Sequence, residues 1–170
     1  TSSATICSGS SVTLSLVGFA SSTNTYQWND ASGAISGATS STYTTSTAGS
    51  YSLTVTNTNS CVATSNVVAV TVLTVSTPAS LSASSIQLDR ATMNWATVTN
   101  ANHYDIRMRV QGSAWSIAIN NIPSAFTSQT KTGLSSSTTY EWQIRSACSN
   151  DSSSVSAWSS TQSFTTLTPC

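Results

Sequence analysis

The chain has 170 residues, 38% hydrophobic and 6% charged, with a formal net charge of zero. That length accommodates one large or two small domains, and the lack of any basic patch argues against nucleic acid as a partner. Ser and Thr number 38 and 29; because the apolar residues between them alternate, this composition predicts a folded all-β protein with hydroxyl-coated faces and no long helix, rather than a disordered tract.

In chain order, Val12, Leu14 and Leu16 alternate as a first clear strand, and Tyr26 and Trp28 as the next. Ala31-Ser32-Gly33 predicts a turn, and Ile35 and Tyr43 are inward candidates. Gly49 predicts a tight corner before Tyr51, Leu53 and Val55, which alternate with small hydroxyl residues as a half-buried strand. Asn57-Thr58-Asn59-Ser60 reads as a turn and Val67–Val72 as its hairpin partner. This first module, 1–75, thus holds about seven short strands, the pattern of a β-sandwich. In the second, 76–170, Pro78 to Leu81 opens the module, and Met93 and Trp95 alternate. Tyr104, Ile106, Met108 and Val110 alternate over His103–Val110. Tyr140, Trp142 and Ile144 form a further strand, and Phe164 lies in a closing one. Val72–Pro78 is the junction, a short linker without glycine that predicts a rather stiff connection.

Two sets of motifs carry a family resemblance. Cys7-Ser8-Gly9, Tyr26-Gln27-Trp28, Gly37-Ala38-Thr39, Ala48-Gly49-Ser50-Tyr51 and Asn59-Ser60-Cys61 together resemble the immunoglobulin-like or PKD-like repeats of large secreted bacterial surface proteins. The resemblance makes Trp28 the core tryptophan of strand C and Tyr51 a tyrosine corner whose hydroxyl bonds back to the corner backbone. The second module resembles a fibronectin type III domain, with Trp95 as the strand-B tryptophan and Leu134 with Tyr140 at the E–F corner. The implied fold is all-β, two tandem β-sandwiches.

Little in the sequence speaks of catalysis. His103 is the single histidine, and Asp105 shares its strand face, but no Ser- or Cys-centred motif surrounds them; the expectation is an exposed histidine at the start of its strand. The acidic residues form no calcium-loop ladder or glycosidase pair, and no glycine-rich phosphate loop is present. The four cysteines match no zinc spacing. The expectation is therefore no enzyme, no metal and no cofactor.

Charge is uneven. Residues 1–88 hold only Asp30, and the other nine charged residues lie between Asp89 and Asp151. A surface so poor in charge favours self-association. Asp105, Arg107 and Arg109 point outward from one predicted strand, and Glu141 and Arg145 from another. They form either a solvated face of cross-strand ion pairs or an interaction face. Trp115 and Trp158, near loops or edge strands, are candidate ligand aromatics for surface glycans. Asn150-Asp151-Ser152 is the one N-glycosylation sequon.

Four cysteines in such a chain point to an oxidising, extracytoplasmic setting, and they allow three pairings. The repeat resemblance puts Cys7 with Cys61 inside the first module. In an immunoglobulin-like sandwich, however, these sit at opposite ends of strands about 23 Å long, whereas a disulfide needs Cα atoms within about 7 Å. The second pairing links Cys7 to Cys148 across the module junction and Cys170 to a Cys61-type residue of the next unit. A Cys just before the opening Pro would partner Cys148 in related repeats, and Ser76-Thr77-Pro78 lacks it. Cys148–Cys170 is disfavoured because hairpin pairing sets Cys148 near Trp158. No apolar run is long enough to span a membrane, and no signal peptide opens at Thr1, which fits a processed or excised segment.

The expected role is a structural repeat of an extracellular bacterial surface fibre, filament or adhesin stalk, stacking head to tail with copies of itself or with neighbouring modules. The alternative is a carbohydrate-binding or adhesive accessory module of a larger secreted protein. The motif style resembles proteins exported by type IX secretion.

Overall fold

A computed structural model describes residues 3–18 and 21–170. The chain divides into two compact units, Thr1–Leu73 and Thr74–Cys170. Every regular element among the described residues is a strand.

Among the described residues the first unit contains eight strands. These are β1 (Ala4–Cys7), β2 (Val12–Ser15), β3 (Thr25–Asp30), β4 (Gly33–Ala34), β5 (Thr42–Thr45), β6 (Gly49–Thr56), β7 (Val62–Thr64) and β8 (Val68–Leu73). One sheet runs β1-β8-β6-β3-β4, with β7 also on β6; the other is only β2-β5. The two layers close on Leu14, Trp28, Tyr51, Leu53 and Val70, the alternating residues of four strands, since successive side chains leave a strand on opposite faces. Tyr51 is a corner tyrosine. Its hydroxyl donates to the Thr47 carbonyl at 3.0 Å and lies 3.1 Å from the buried Thr45 hydroxyl.

Two local expectations are corrected here. Gly49 makes no corner: it is the first residue of β6 and is not among the positive-φ glycines. A Cβ there would meet the Tyr51 ring at 3.4 Å, so the small residue serves the overlying ring. The expected hairpin partner of β6, Val67–Val72, does pair with it as β8, but an unexpected strand, β7, comes first after the turn. Thr54 faces Thr64 on β7, whereas Gly49 faces Val70 on β8, a slip of one residue. Ser65 sits at the slip, accepting the Leu53 N–H on its hydroxyl at 2.9 Å while its own N–H donates to the Leu53 carbonyl. Among the described residues the strand count is therefore eight where about seven were expected.

The second unit has seven strands. They are β9 (Ser82–Ser84), β10 (Arg90–Asn94), β11 (His103–Val110), β12 (Ser116–Pro123), β13 (Ser128–Thr132), β14 (Thr139–Ala147) and β15 (Gln162–Thr165). They form the sheets β13-β10-β9 and β12-β11-β14-β15. Met93, Trp95, Tyr104, Ile106, Trp142 and Ile144 fill the space between them. Tyr140, as the corner tyrosine, accepts the Ser135 N–H at 2.9 Å, and Leu134 packs against the same core.

Candidate functional site

The outward face of β11 and β14 gathers most of the charged residues of the second unit. The antiparallel register sets Asp105 opposite Arg145, Arg107 opposite Gln143 and Arg109 opposite Glu141. Each pair is bonded. Arg109 Nε donates to Glu141 Oε2 at 2.6 Å, Arg107 Nε to Gln143 Oε1 at 2.7 Å and Arg145 Nε to Asp105 Oδ2 at 3.1 Å.

Two tryptophans interleave with these arginines. The Arg109 and Arg107 guanidinium carbons lie 4.2 and 4.8 Å from the Trp115 ring centre, and those of Arg107 and Arg145 lie 4.5 and 4.7 Å from that of Trp158. A cation over an aromatic face is attracted by the ring quadrupole, and partial burial strengthens the attraction. Arg107 is central to both rings and has the neutral Gln143 as its cross-strand partner; desolvation, followed by repulsion from Arg109 and Arg145, lowers its pKa from the ordinary arginine value. Trp115 reaches the face from the turn just before β12. Trp158 reaches it from a segment where Ser156 and Ser159 lend hydroxyls to the ladder: they accept the N–H groups of Ser146 and Ile144, each at 3.1 Å. Using hydroxyls in place of carbonyls lets the chain stay attached to β14 while Trp158 lies over the arginines.

In the sequence these arginines and tryptophans are two separate sets, a charged face and a pair of candidate ligand aromatics. The structure brings them together as one interleaved stack. Gln143, Ser156 and Ser159 were not singled out. The readable signal was two loop tryptophans beside arginines at alternate positions of one strand.

Two expectations are corrected at one end of the face. Asp105 is 3% exposed and His103 also 3%, so neither is a solvent-facing group. A bulge in β12 covers them: the register with β11 shifts on both sides of Ile106, and Asp105 Oδ1 accepts the N–H of Asn121, a positive-φ residue, at 3.1 Å. His103 Nε2 lies 3.0 Å from Ser152 Oγ and 3.6 Å from Asp105 Oδ1, and its Nδ1 lies 3.2 Å from Asn102 Oδ1. Serine, histidine and carboxylate therefore meet, but on the same ring nitrogen. A relay needs the nucleophile on one nitrogen and the carboxylate on the other, so this cluster is a buried polar brace for β11.

Cys7 and Cys148 form the disulfide. Cys61 and Cys170 are exposed free thiols, which overturns the Cys7–Cys61 alternative. Among the described residues no group of His, Cys, Asp or Glu is placed to hold a metal ion, and no helix is long and apolar enough to cross a membrane.

No family model and no curated protein matches the sequence. Solved structures do match. A crystal structure of titin domains aligns with 98% of this chain and 62% of its own length at 13% identity and a TM-score of 0.68. The FN1–FN3 domains of chicken CNTN1 align with 97% of this chain and 62% of theirs, at 13% identity and a TM-score of 0.50. The chain thus spans less than two thirds of either. At this identity the likeness shows the fold alone: an all-β chain of immunoglobulin-like and fibronectin type III-like sandwiches.

Proposed function

We propose that this chain is a structural repeat of an extracellular bacterial surface fibre, filament or adhesin stalk, self-associating head to tail, and not an enzyme. The observation that carries this reading is the state of the cysteines. One disulfide, Cys7–Cys148, fits an oxidising compartment, and two exposed thiols, Cys61 and Cys170, remain to link copies. Linking them transfers two electrons to an external disulfide by exchange, leaving that reagent as two thiols while Cys61 Sγ bonds to Cys170 Sγ of the partner subunit. The tandem-sandwich fold is that of modular structural and adhesive domains, and the scarcity of charge in residues 1–88 leaves little repulsion between copies. Export through type IX secretion fits the repeat style.

The glycan-binding alternative ranks second because its two candidate aromatics, Trp115 and Trp158, are engaged by guanidinium groups. Electrophoresis and mass spectrometry of native material, with and without reductant, test the proposal. A reductant-sensitive ladder carrying a Cys61–Cys170 peptide is expected. A single monomeric species with both thiols free overturns it.

A further inference from the structure

Among the described residues the second sheet of the first unit has two strands, β2 and β5, and no strand pairs the other edge of β2. Val12 to Ser15 pair with Thr45 to Thr42, and Leu16 N–H donates to the Ser41 carbonyl at 3.2 Å. Hydrogen-bonded pairs alternate along an antiparallel ladder, so Leu16, Leu14 and Val12 turn their backbone groups towards β5. Thr13 and Ser15 turn theirs away, where among the described residues no backbone or side-chain partner meets them. Beside this edge lies an open groove of about 470 Å³, lined by Val12, Leu14, Leu16, Trp28, Leu53 and Val68, with Val17 at its rim 90% exposed. Exposed edges are commonly guarded by lysine, proline or a bulge; Ser11 to Val17 has no such guard and no charge.

We propose that this edge pairs with the same edge of a second copy, giving one antiparallel sheet β5-β2-β2-β5 across a two-fold axis. The sequence is complementary to itself in that register. Centred on Leu14, the pairing sets Thr13 opposite Ser15 of the partner subunit, and the reverse. The residues with free backbone groups thereby meet each other in about four hydrogen bonds. Leu14 then faces Leu14 of the partner subunit, and Val12 faces Leu16 of the partner subunit. Residues directly opposite share a sheet face, so the apolar side chains of both copies lie on the groove side and the hydroxyls of Thr13 and Ser15 on the other. A two-fold contact of this kind closes on itself. It joins copies laterally, which deepens the self-association reading and rests on it only in taking a copy as the partner.

The test uses the full chain carrying Cys61→Ser and Cys170→Ser, which removes thiol linkage. Sedimentation from micromolar to millimolar concentration is expected to show a monomer–dimer equilibrium. Amide exchange at Thr13 and Ser15 is expected to slow as dimer accumulates. Ser15→Pro removes an outward donor while sparing the bonds to β5 and, acting twice across the axis, should weaken the dimer by about ten-fold or more. A monomer at every concentration, a dimer indifferent to Ser15→Pro, or a dimer with unchanged exchange at Thr13 and Ser15 overturns the proposal. If Ser15→Pro unfolds, the exchange pattern of the parent chain decides. A thiol-dependent ladder without this dimer overturns the β2 contact alone, and the dimer without a ladder overturns the thiol linkage alone.

Discussion

Asp151 is exposed, yet its carboxyl is held well below the ordinary value of 3.8, at about 2, chiefly by a hydrogen bond from the Ser149 side chain and then by the Ser153 N–H. A carboxylate with a depressed folded pKa stabilises the fold above its unfolded value. That contribution fades as pH falls from about 3.8 to about 2, because the folded state must then give up an ionised, hydrogen-bonded group. A carboxyl-detected titration should place the Asp151 midpoint near 2, and Ser149→Ala should move it up towards 3.8; an unmoved midpoint would remove Ser149 as the cause. No reading of alternation could have found this loop, since it depends on which hydroxyls a turn brings back to one carboxylate. Asp105 shows the same limit. Its place on β11 gives its face correctly, but its burial comes from a bulge in β12, and two consecutive asparagines gave little warning that the strand folds over it.

The best-read elements are those with long alternation. His103–Val110 was bounded as a strand from sequence and is β11, and Tyr140 to Ile144 lies within β14, because eight or nine residues of strict period two admit one face to the core. The short elements were read less well. β7 carries no sequence signal of its own: Val62–Thr64 is three exposed residues, and its separation from β8 is made at Ser65 by a hydroxyl, the commonest side-chain group in this chain. The tryptophan–arginine stack is a property of two paired strands and two loops, so neither strand alone displays it. Arg107 is its centre. Arg107→Ala should release both rings, costing about 1–3 kcal/mol, and shift tryptophan emission to longer wavelength. Arg107→Lys should recover only part of this, since an ammonium cannot lie flat between two rings. Wild-type emission in Arg107→Ala would show that the rings do not depend on the cation.

At the scale of the molecule, composition was informative about class and silent about linkage. Two cores, each drawn from its own stretch of chain, follow from two series of alternating segments. The cysteine pairing could not be chosen by spacing, because it depends on three-dimensional placement; Cys61 and Cys7 each recur in the repeat pattern, yet Cys61 is free. The parallel pairing of β1 with β8, Ala4 against Val70 through Cys7 against Leu73, has a mechanical consequence within the first unit. Drawn apart from the start of β1 and the end of β8, the two strands slide along each other, so their ladder bonds bear the load together instead of opening one after another. Single-molecule stretching should show a distinct force peak as this ladder gives way, and a smooth extension without one would show that the pair bears no load. A unit joined in this way resists being drawn out along its strands more than being peeled from its flank.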